Sequence, residues 1–232
     1  MGAEVTIACA DGRFTGYLAT PESGFGPGVI VIQEIFGVNI VMRKITDQLA
    51  GDGYTALCPD LFWRQEPGIQ LTDETEENWE RAFELYQGFD TKKGMGDIVA
   101  SINHIRNISD DIEKVGCVGY CLGGFLAYLT STSSVADCAV SYYGVGIEEK
   151  LDESNNINGK LLLHVAEEDQ FVPKQAQLQI RDRLSKNNNV TIHTYAKVNH
   201  AFARIGGEHY DHAAAELANK RTSNFLSTNL VG

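Results

Sequence analysis

The chain is 232 residues long, 43% apolar and 22% charged, which is ordinary for a globule with one hydrophobic core of the larger kind. Its net charge of −12 argues against nucleic acid and against anionic membrane surfaces as partners. The same charge makes an anionic substrate awkward unless arginine is gathered locally.

The five cysteines, Cys9, Cys58, Cys117, Cys121 and Cys138, are odd in number, scattered, and contain no CxxC. Neither a disulfide framework nor a zinc knuckle is indicated. Cys117 and Cys121, read as four apart on one strand, would be roughly 13 Å apart, too far to bridge. A reducing cytoplasm is the expected compartment. The N-terminus lacks the basic and apolar regions of a signal peptide, and no apolar run reaches the ~18 residues of a membrane span. Met1-Gly2 with Thr6 matches a loose myristoylation pattern, with a chance match or a cloning residue as the simpler reading.

In chain order, Val5–Ala8 and Arg13–Thr20 flank Asp11-Gly12, a two-residue hairpin signal. Gly28–Ile32 is a short continuous apolar run, as expected of a central parallel strand. A helix reads from Val38 to Gly51 or Gly53, and Tyr54–Cys58 reads as a strand stopped by Pro59-Asp60. Leu61 to about Thr75 is loop-like. The acidic run Asp73, Glu74, Glu76, Glu77, Glu80 then opens a helix, where carboxylates suit the dipole, and helical spacing continues to Tyr86. Met95 to Ile105 predicts another helix.

Further on, Lys114 to Val118 is a buried strand signal, and helix-compatible spacing resumes over Phe125–Leu129. Cys138–Tyr143, Lys160–Ala166 and Val190–Ala196 read as strands, Lys174–Ser185 and about Glu208 to Leu226 as helices. The alternation predicts one α/β domain over residues 1–232, with a mostly parallel central sheet flanked by helices on both faces.

The chemistry centres on Gly119-Tyr120-Cys121-Leu122-Gly123. A strand, a G-x-nucleophile-x-G turn and a helix make the elbow of α/β-hydrolases, here with Cys in place of Ser. The turn strains residue 121, and glycines at 119 and 123 leave room for strand and helix. It also sets the thiol at a helix N-terminus, where the dipole favours thiolate. The bland alternative is a small core cysteine at a glycine-terminated strand.

In this architecture an acid and then a histidine follow the nucleophile, each on a loop after a strand. Asp169 lies after Lys160–Ala166, just before the helix that Pro173 opens. His200 lies after Val190–Ala196. His200 would take the thiol proton and return it to the leaving oxygen, with Asp169 fixing its tautomer. Glu167 and Glu168 are rivals for the acid, nearer the strand end.

Gln33-Glu34-Ile35-Phe36-Gly37 ends the third strand, the place that supplies one oxyanion donor. The Leu122 and Ile35 N–H groups are the candidate donors. Glu34 is either a plain strand-end residue facing water or a carboxylate that manages the Cys121 proton. His209 and His212 have the spacing of a metal pair but no third ligand, so exposed helix residues are the better reading.

Gln33 to Asn39, Cys58-Pro59-Asp60-Leu61, Val118 to Gly124, Tyr142 to Gly146 and His200-Ala201-Phe202-Ala203-Arg204 together resemble the dienelactone hydrolase (carboxymethylenebutenolidase) family. The resemblance covers nearly the whole chain, from the first hairpin to Phe225-Leu226. It implies a Cys121–His200–Asp169 triad and a resting thiol held near Glu34, which shifts on substrate binding and helps deprotonate the cysteine. The thiolate then attacks the lactone carbonyl, the ring opens to an enolate, and water releases the acid. No metal or organic cofactor is implied.

The family substrate carries a carboxylate held by arginines. Arg204 fits one of them, but Trp79 stands where the other falls. Arg81, two positions on, is about 200° round a helix, leaving it as an alternative ligand or a surface charge. Phe36 and Tyr143 are candidate substrate-contacting aromatics, with Phe83, Tyr86 and Phe171 behind them; core packing is the plainer reading of each.

The sequence thus predicts a cytoplasmic monomer that opens a small lactone, dienelactone foremost, with a small molecule as its partner. Two rivals stay open. One is a broad carboxylesterase with the same triad acting on a neutral ester. The other is a non-catalytic redox-sensing or binding module using Cys121.

Overall fold

The computed structural model of the chain describes residues 2–231. It contains eight strands, β1 (Ala3–Cys9), β2 (Gly12–Ala19), β3 (Gly28–Ile32), β4 (Thr55–Pro59), β5 (Val115–Tyr120), β6 (Cys138–Tyr142), β7 (Lys160–Ala166) and β8 (Val190–Tyr195). They form one sheet in the order β1-β2-β4-β3-β5-β6-β7-β8. Only the β1–β2 and β2–β4 pairings are antiparallel among those with a defined register. This is the mostly parallel sheet that the alternation predicts. By internal contacts the chain falls into two compact units, Met1–Cys117 and Val118–Gly232.

In the first unit, the β1–β2 register pairs Cys9 with Gly12, so the two-residue loop is Ala10-Asp11, one position earlier than predicted. β3 and β4 are buried at every position, as unbroken apolar runs between helices must be. Helix α1 (Ile40–Gly51) starts after Asn39, whose side-chain oxygen accepts from the amides of Val41 and Met42, both at 3.1 Å. That cap displaces the start from the expected Val38. Met42, Thr46 and Ala50, four apart, form its buried face.

The 61–75 segment lacks regular structure yet is pinned. Asp60 accepts from the amides of Phe62 at 3.0 Å and Gly68 at 2.8 Å, and Gln33 accepts from Leu61 at 3.0 Å. Helix α2 (Glu76–Gln87) is capped by Thr75 and carries Glu76 and Glu77 in its first turn, where the dipole favours them. Helix α3 (Thr91–Arg106) begins four residues before the predicted Met95, because Asp90 caps it. Gly94 and Gly96 dilute the apolar pattern in its first turns, which hid that start.

Arg64 ties this unit together, reaching Asp97 at 2.5 Å and Asp11 at 2.7 Å, while Trp63 Nε1 donates to Asp97 at 3.0 Å.

In the second unit, β6, β7 and β8 run parallel in register. Helix α4 (Leu122–Ser133) is buried along most of its length. A 3-10 segment, Ile147–Asn156, which the sequence did not signal, is kinked at Lys150. Helices α5 (Lys174–Leu184) and α6 (His212–Leu226) follow, α6 continuing into a wide π-type turn over Ser227–Val231. Pro173 is the N-cap of α5 rather than its first residue. α6 starts four residues later than the expected Glu208, at the Asp211 cap, which accepts from Ala214 at 2.8 Å.

No helix among the described residues is long and apolar enough to cross a membrane. None of the five cysteines is in a disulfide. Of the Met1-Gly2 pattern, Met1 lies outside the described residues, and the Gly2 amide donates to Tyr17 Oη and Asp47 Oδ1.

Candidate active site

Strand β5 stops at Tyr120, so Cys121 stands in the turn and not on the strand with Cys117. Its backbone has φ 57° and ψ −115°, a conformation that L-residues avoid and that persists only where the surroundings enforce it. The enforcement is visible. The Cys121 amide donates to the Tyr142 carbonyl at 3.1 Å, and its own carbonyl accepts from Phe125 at 3.2 Å. Gly119 is obligatory, since a Cβ there would collide with the Gly123 carbonyl oxygen. Leu122 is the first residue of α4, so its N–H has no partner within the helix. The Cys121 side chain is thereby presented at a helix N-terminus while the residue stays 9% exposed.

Asp169 and His200 meet in the same unit. His200 Nδ1 lies 2.9 Å from Asp169 Oδ2 and 3.1 Å from Oδ1. Asp169 also accepts from the amides of Phe171 at 2.9 Å and Val172 at 3.2 Å. Both side chains are almost wholly buried. The rival acids point elsewhere: Glu167 accepts from the Lys197 amide, and Glu168 is exposed.

Burial alone would push the His200 imidazole down. The charge on Cys121 and the hydrogen bond to Asp169 outweigh it and raise the pKa to about 10. The second ring nitrogen, Nε2, is buried and has no partner in normal hydrogen-bond geometry among the described residues, although the thiol is near enough for its charge to act on the ring. Such a site favours the protonated imidazole beside Asp169.

Asn199 is a site residue that the sequence reading missed. Its Oδ1 accepts from the His200 amide at 2.7 Å and from the Gln170 amide at 3.0 Å, joining the acid loop to the histidine loop. The only signal for it is its place immediately before His200. Aromatic rings flank the imidazole edge-on, Phe171 at 4.8 Å and Tyr143 at 5.0 Å between centroids. Tyr143 ends β6 early because its backbone turns to φ 39°. Arg204 is buried, only four residues beyond His200.

Glu34, Ile35 and Phe36 follow β3 in the first unit, all buried; Glu34 is therefore not the water-facing strand end that was one of its two readings. Phe36 packs edge-on against Trp79 at 5.0 Å, and Trp79 stacks on Phe83 at 5.6 Å. Trp79 Nε1 donates to the Asp73 carbonyl at 3.0 Å. Arg81, a candidate substrate ligand from sequence, is on a different footing. Its guanidinium is held by Glu66 and Glu84, each at 2.6 Å, with the side chain 41% exposed. This is the surface-charge alternative, produced by a non-local acid at position 66 that helical spacing does not show.

His209 and His212 do not form a ligand pair: His209 approaches Asn199, and His212 is exposed beside Glu216. Cys9, Asp11 and Asp97 cluster closely enough for a metal, but the Arg64 guanidinium already bridges the two carboxylates.

With this geometry in view, comparison with known proteins is direct. The dienelactone hydrolase family model matches residues 14–230. A protein of Azospirillum brasilense, described provisionally as a carboxymethylenebutenolidase, is 46% identical over 222 residues, covering 95% of each chain. The carboxymethylenebutenolidase of Pseudomonas putida is 39% identical over 224 residues, covering 96% of this chain and 95% of the relative. Among solved structures, a dienelactone hydrolase assignment from Klebsiella pneumoniae superposes with a TM-score of 0.88 at 24% identity, covering 98% of both chains; at that identity it supports the fold alone. The chain belongs to the dienelactone hydrolase family and is a hydrolase that acts on a lactone or ester.

Proposed function

We propose that this chain opens a small lactone, dienelactone to maleylacetate, by covalent catalysis at Cys121. The observation that carries the reading is the buried Asp169–His200 pair at 2.9 Å, whose imidazole pKa is raised partly by the charge on Cys121. The thiolate adds to the lactone carbonyl. The C–O bond then breaks to release the enolate oxygen, which takes the His200 proton, leaving a thioester on Cys121. His200, now neutral, removes a proton from water, the hydroxide displaces the thiolate, and the acid leaves.

The Leu122 N–H and, by the family resemblance, the Ile35 N–H are the donors to the oxyanion. Glu34 keeps the proton-management role that the resemblance gives it. Arg204 is the carboxylate ligand in this reading, and the two carboxylates already on Arg81 argue against a second clamp there. Phe36 and Tyr143 are offered as substrate-contacting rings.

A second reading keeps the triad and changes the substrate. The aromatic Trp79 at the position where the resemblance places an arginine favours a neutral ester. The two are separated by following dienelactone loss by ultraviolet absorbance alongside a neutral aryl acetate, in wild type and Cys121→Ala. Saturable dienelactone turnover that Cys121→Ala abolishes supports the first reading. Cys121-dependent cleavage of the aryl acetate alone moves the substrate to a neutral ester, and turnover surviving in Cys121→Ala rejects the cysteine mechanism.

A further inference from the structure

Behind the reacting residues lies a chain of buried side chains that the proposed reaction does not use. His164 on β7 is 1% exposed. Its Nδ1 is 2.8 Å from Tyr195 Oη on β8, and its Nε2 is 2.9 Å from Thr222 Oγ1 on α6. Thr222 Oγ1 is in turn 2.7 Å from Tyr142 Oη on β6, which donates to Asn219 Oδ1 at 2.9 Å.

The proton positions follow from the last link. Tyr142 has one hydroxyl proton and gives it to Asn219, so Thr222 must donate to Tyr142. His164 Nε2–H must then donate to Thr222, and in a neutral imidazole Nδ1 accepts from Tyr195. Burial makes that neutral form the resting one, and with His193 and Arg221 adding to it holds His164 well below the usual histidine range. Every donor is used in one direction, which gives the chain one geometry.

The backbones of the same residues touch the reacting pair by two routes. The Tyr142 carbonyl accepts the Cys121 amide at 3.1 Å, and the His164 carbonyl accepts the Tyr143 amide at 2.8 Å. Tyr143 then packs edge-on against His200. The contact at the elbow has no slack: a Cβ on Gly124 would lie 2.5 Å from the Tyr142 carbonyl and 2.9 Å from Gly144 Cα. A shift of the Tyr142 backbone is therefore passed to the strained turn that aims the thiol.

We propose that the Tyr195–His164–Thr222–Tyr142 chain is a positioning device for the nucleophile and its base, acting through the backbones of residues 142 and 143. Thr222 and His164 are positioning residues in this account, since neither touches Cys121 or His200. The proposal rests on the reading that Cys121 and His200 do the chemistry.

The test compares wild type with Thr222→Val, which keeps the shape and removes the link, and with Thr222→Ser, which restores it. Tyr142→Phe is the second variant, removing only the hydroxyl from a ring stacked on Tyr120. Each is assayed on the better of dienelactone and aryl acetate, at least 15 °C below its own melting temperature. A purely structural tie lowers the melting temperature and leaves kcat per folded molecule unchanged. Positioning lowers kcat by about tenfold or more in Thr222→Val and Tyr142→Phe, with KM within about twofold, and Thr222→Ser recovers most of it. Wild-type kcat in whichever of Thr222→Val and Tyr142→Phe folds overturns the proposal, as does failure of Thr222→Ser to recover activity. Cys121→Ala in the same assay separates the two claims. Turnover surviving there rejects the catalytic reading and this inference with it, whereas its loss beside unaffected Thr222→Val and Tyr142→Phe rejects the inference alone.

Discussion

Asp169 is held by two backbone amides as well as by His200, so its carboxylate is fixed before substrate arrives. Asp169→Asn keeps the shape and reverses the polarity that the Nδ1–H needs. It should lower kcat on the order of 10³-fold or more, with little change in the melting temperature. A loss below about tenfold would remove Asp169 from the role of holding the imidazole in its working tautomer.

The raised His200 pKa gives a second expectation with a definite sign. The folded imidazole titrates at about 10 and the unfolded one near the ordinary 6.5. The extra stability is thus fully present below about pH 6.5 and is lost as pH rises through about 10. Urea unfolding at pH 6 and pH 10.5 should show wild type losing more stability across that interval than His200→Gln. Equal losses would deny that the imidazolium is stabilised in the folded state.

At the scale of elements, the Arg64–Asp97 link joins the 61–75 segment to α3. Asp97 is buried and Arg64 only partly so, so removing the arginine strands a carboxylate in the core. Arg64→Leu should cost on the order of 3 kcal/mol in urea unfolding, partly recovered by adding Asp97→Asn. A cost below about 0.5 kcal/mol, as for an exposed pair, would show that water reaches Asp97 freely.

Element identity was legible from the sequence wherever an apolar run or period was undisturbed, as in β3, β4 and the elbow strand β5. Boundaries failed where side-chain capping decided them, at Asn39 and Asp211, and where glycines diluted the pattern, at Gly94 and Gly96. Within the site, the loop positions of Cys121, Asp169 and His200 were readable because the order of strands fixes them. Asn199, the Glu66 carboxylate on Arg81 and the His164–Thr222 chain were not, because each depends on at least one partner 15 or more residues away.

For the whole molecule, a net charge of −12 sets the encounter with substrate. An anionic lactone is repelled at long range, and added salt screens that repulsion while leaving contacts to a buried arginine less affected. For dienelactone, kcat/KM should rise between 10 and about 150 mM salt; for a neutral aryl acetate it should stay flat. A fall with salt for dienelactone would mean that local attraction outweighs the overall charge. In the same assays Arg204→Ala should hurt dienelactone at least about tenfold more than the neutral ester, and Arg81→Ala should leave both nearly unchanged. Equal losses on both substrates in Arg204→Ala would take that arginine out of substrate recognition.

The central claim is that Cys121 forms the covalent intermediate. Its most direct test is mass spectrometry of the protein quenched in acid during turnover of a slow aryl ester, with peptide mapping of the added acyl group. The mechanism predicts one acyl group, on the peptide carrying Cys121, absent in Cys121→Ala and accumulating further in Asp169→Asn. An acyl group on another residue, or turnover that persists in Cys121→Ala, would contradict it.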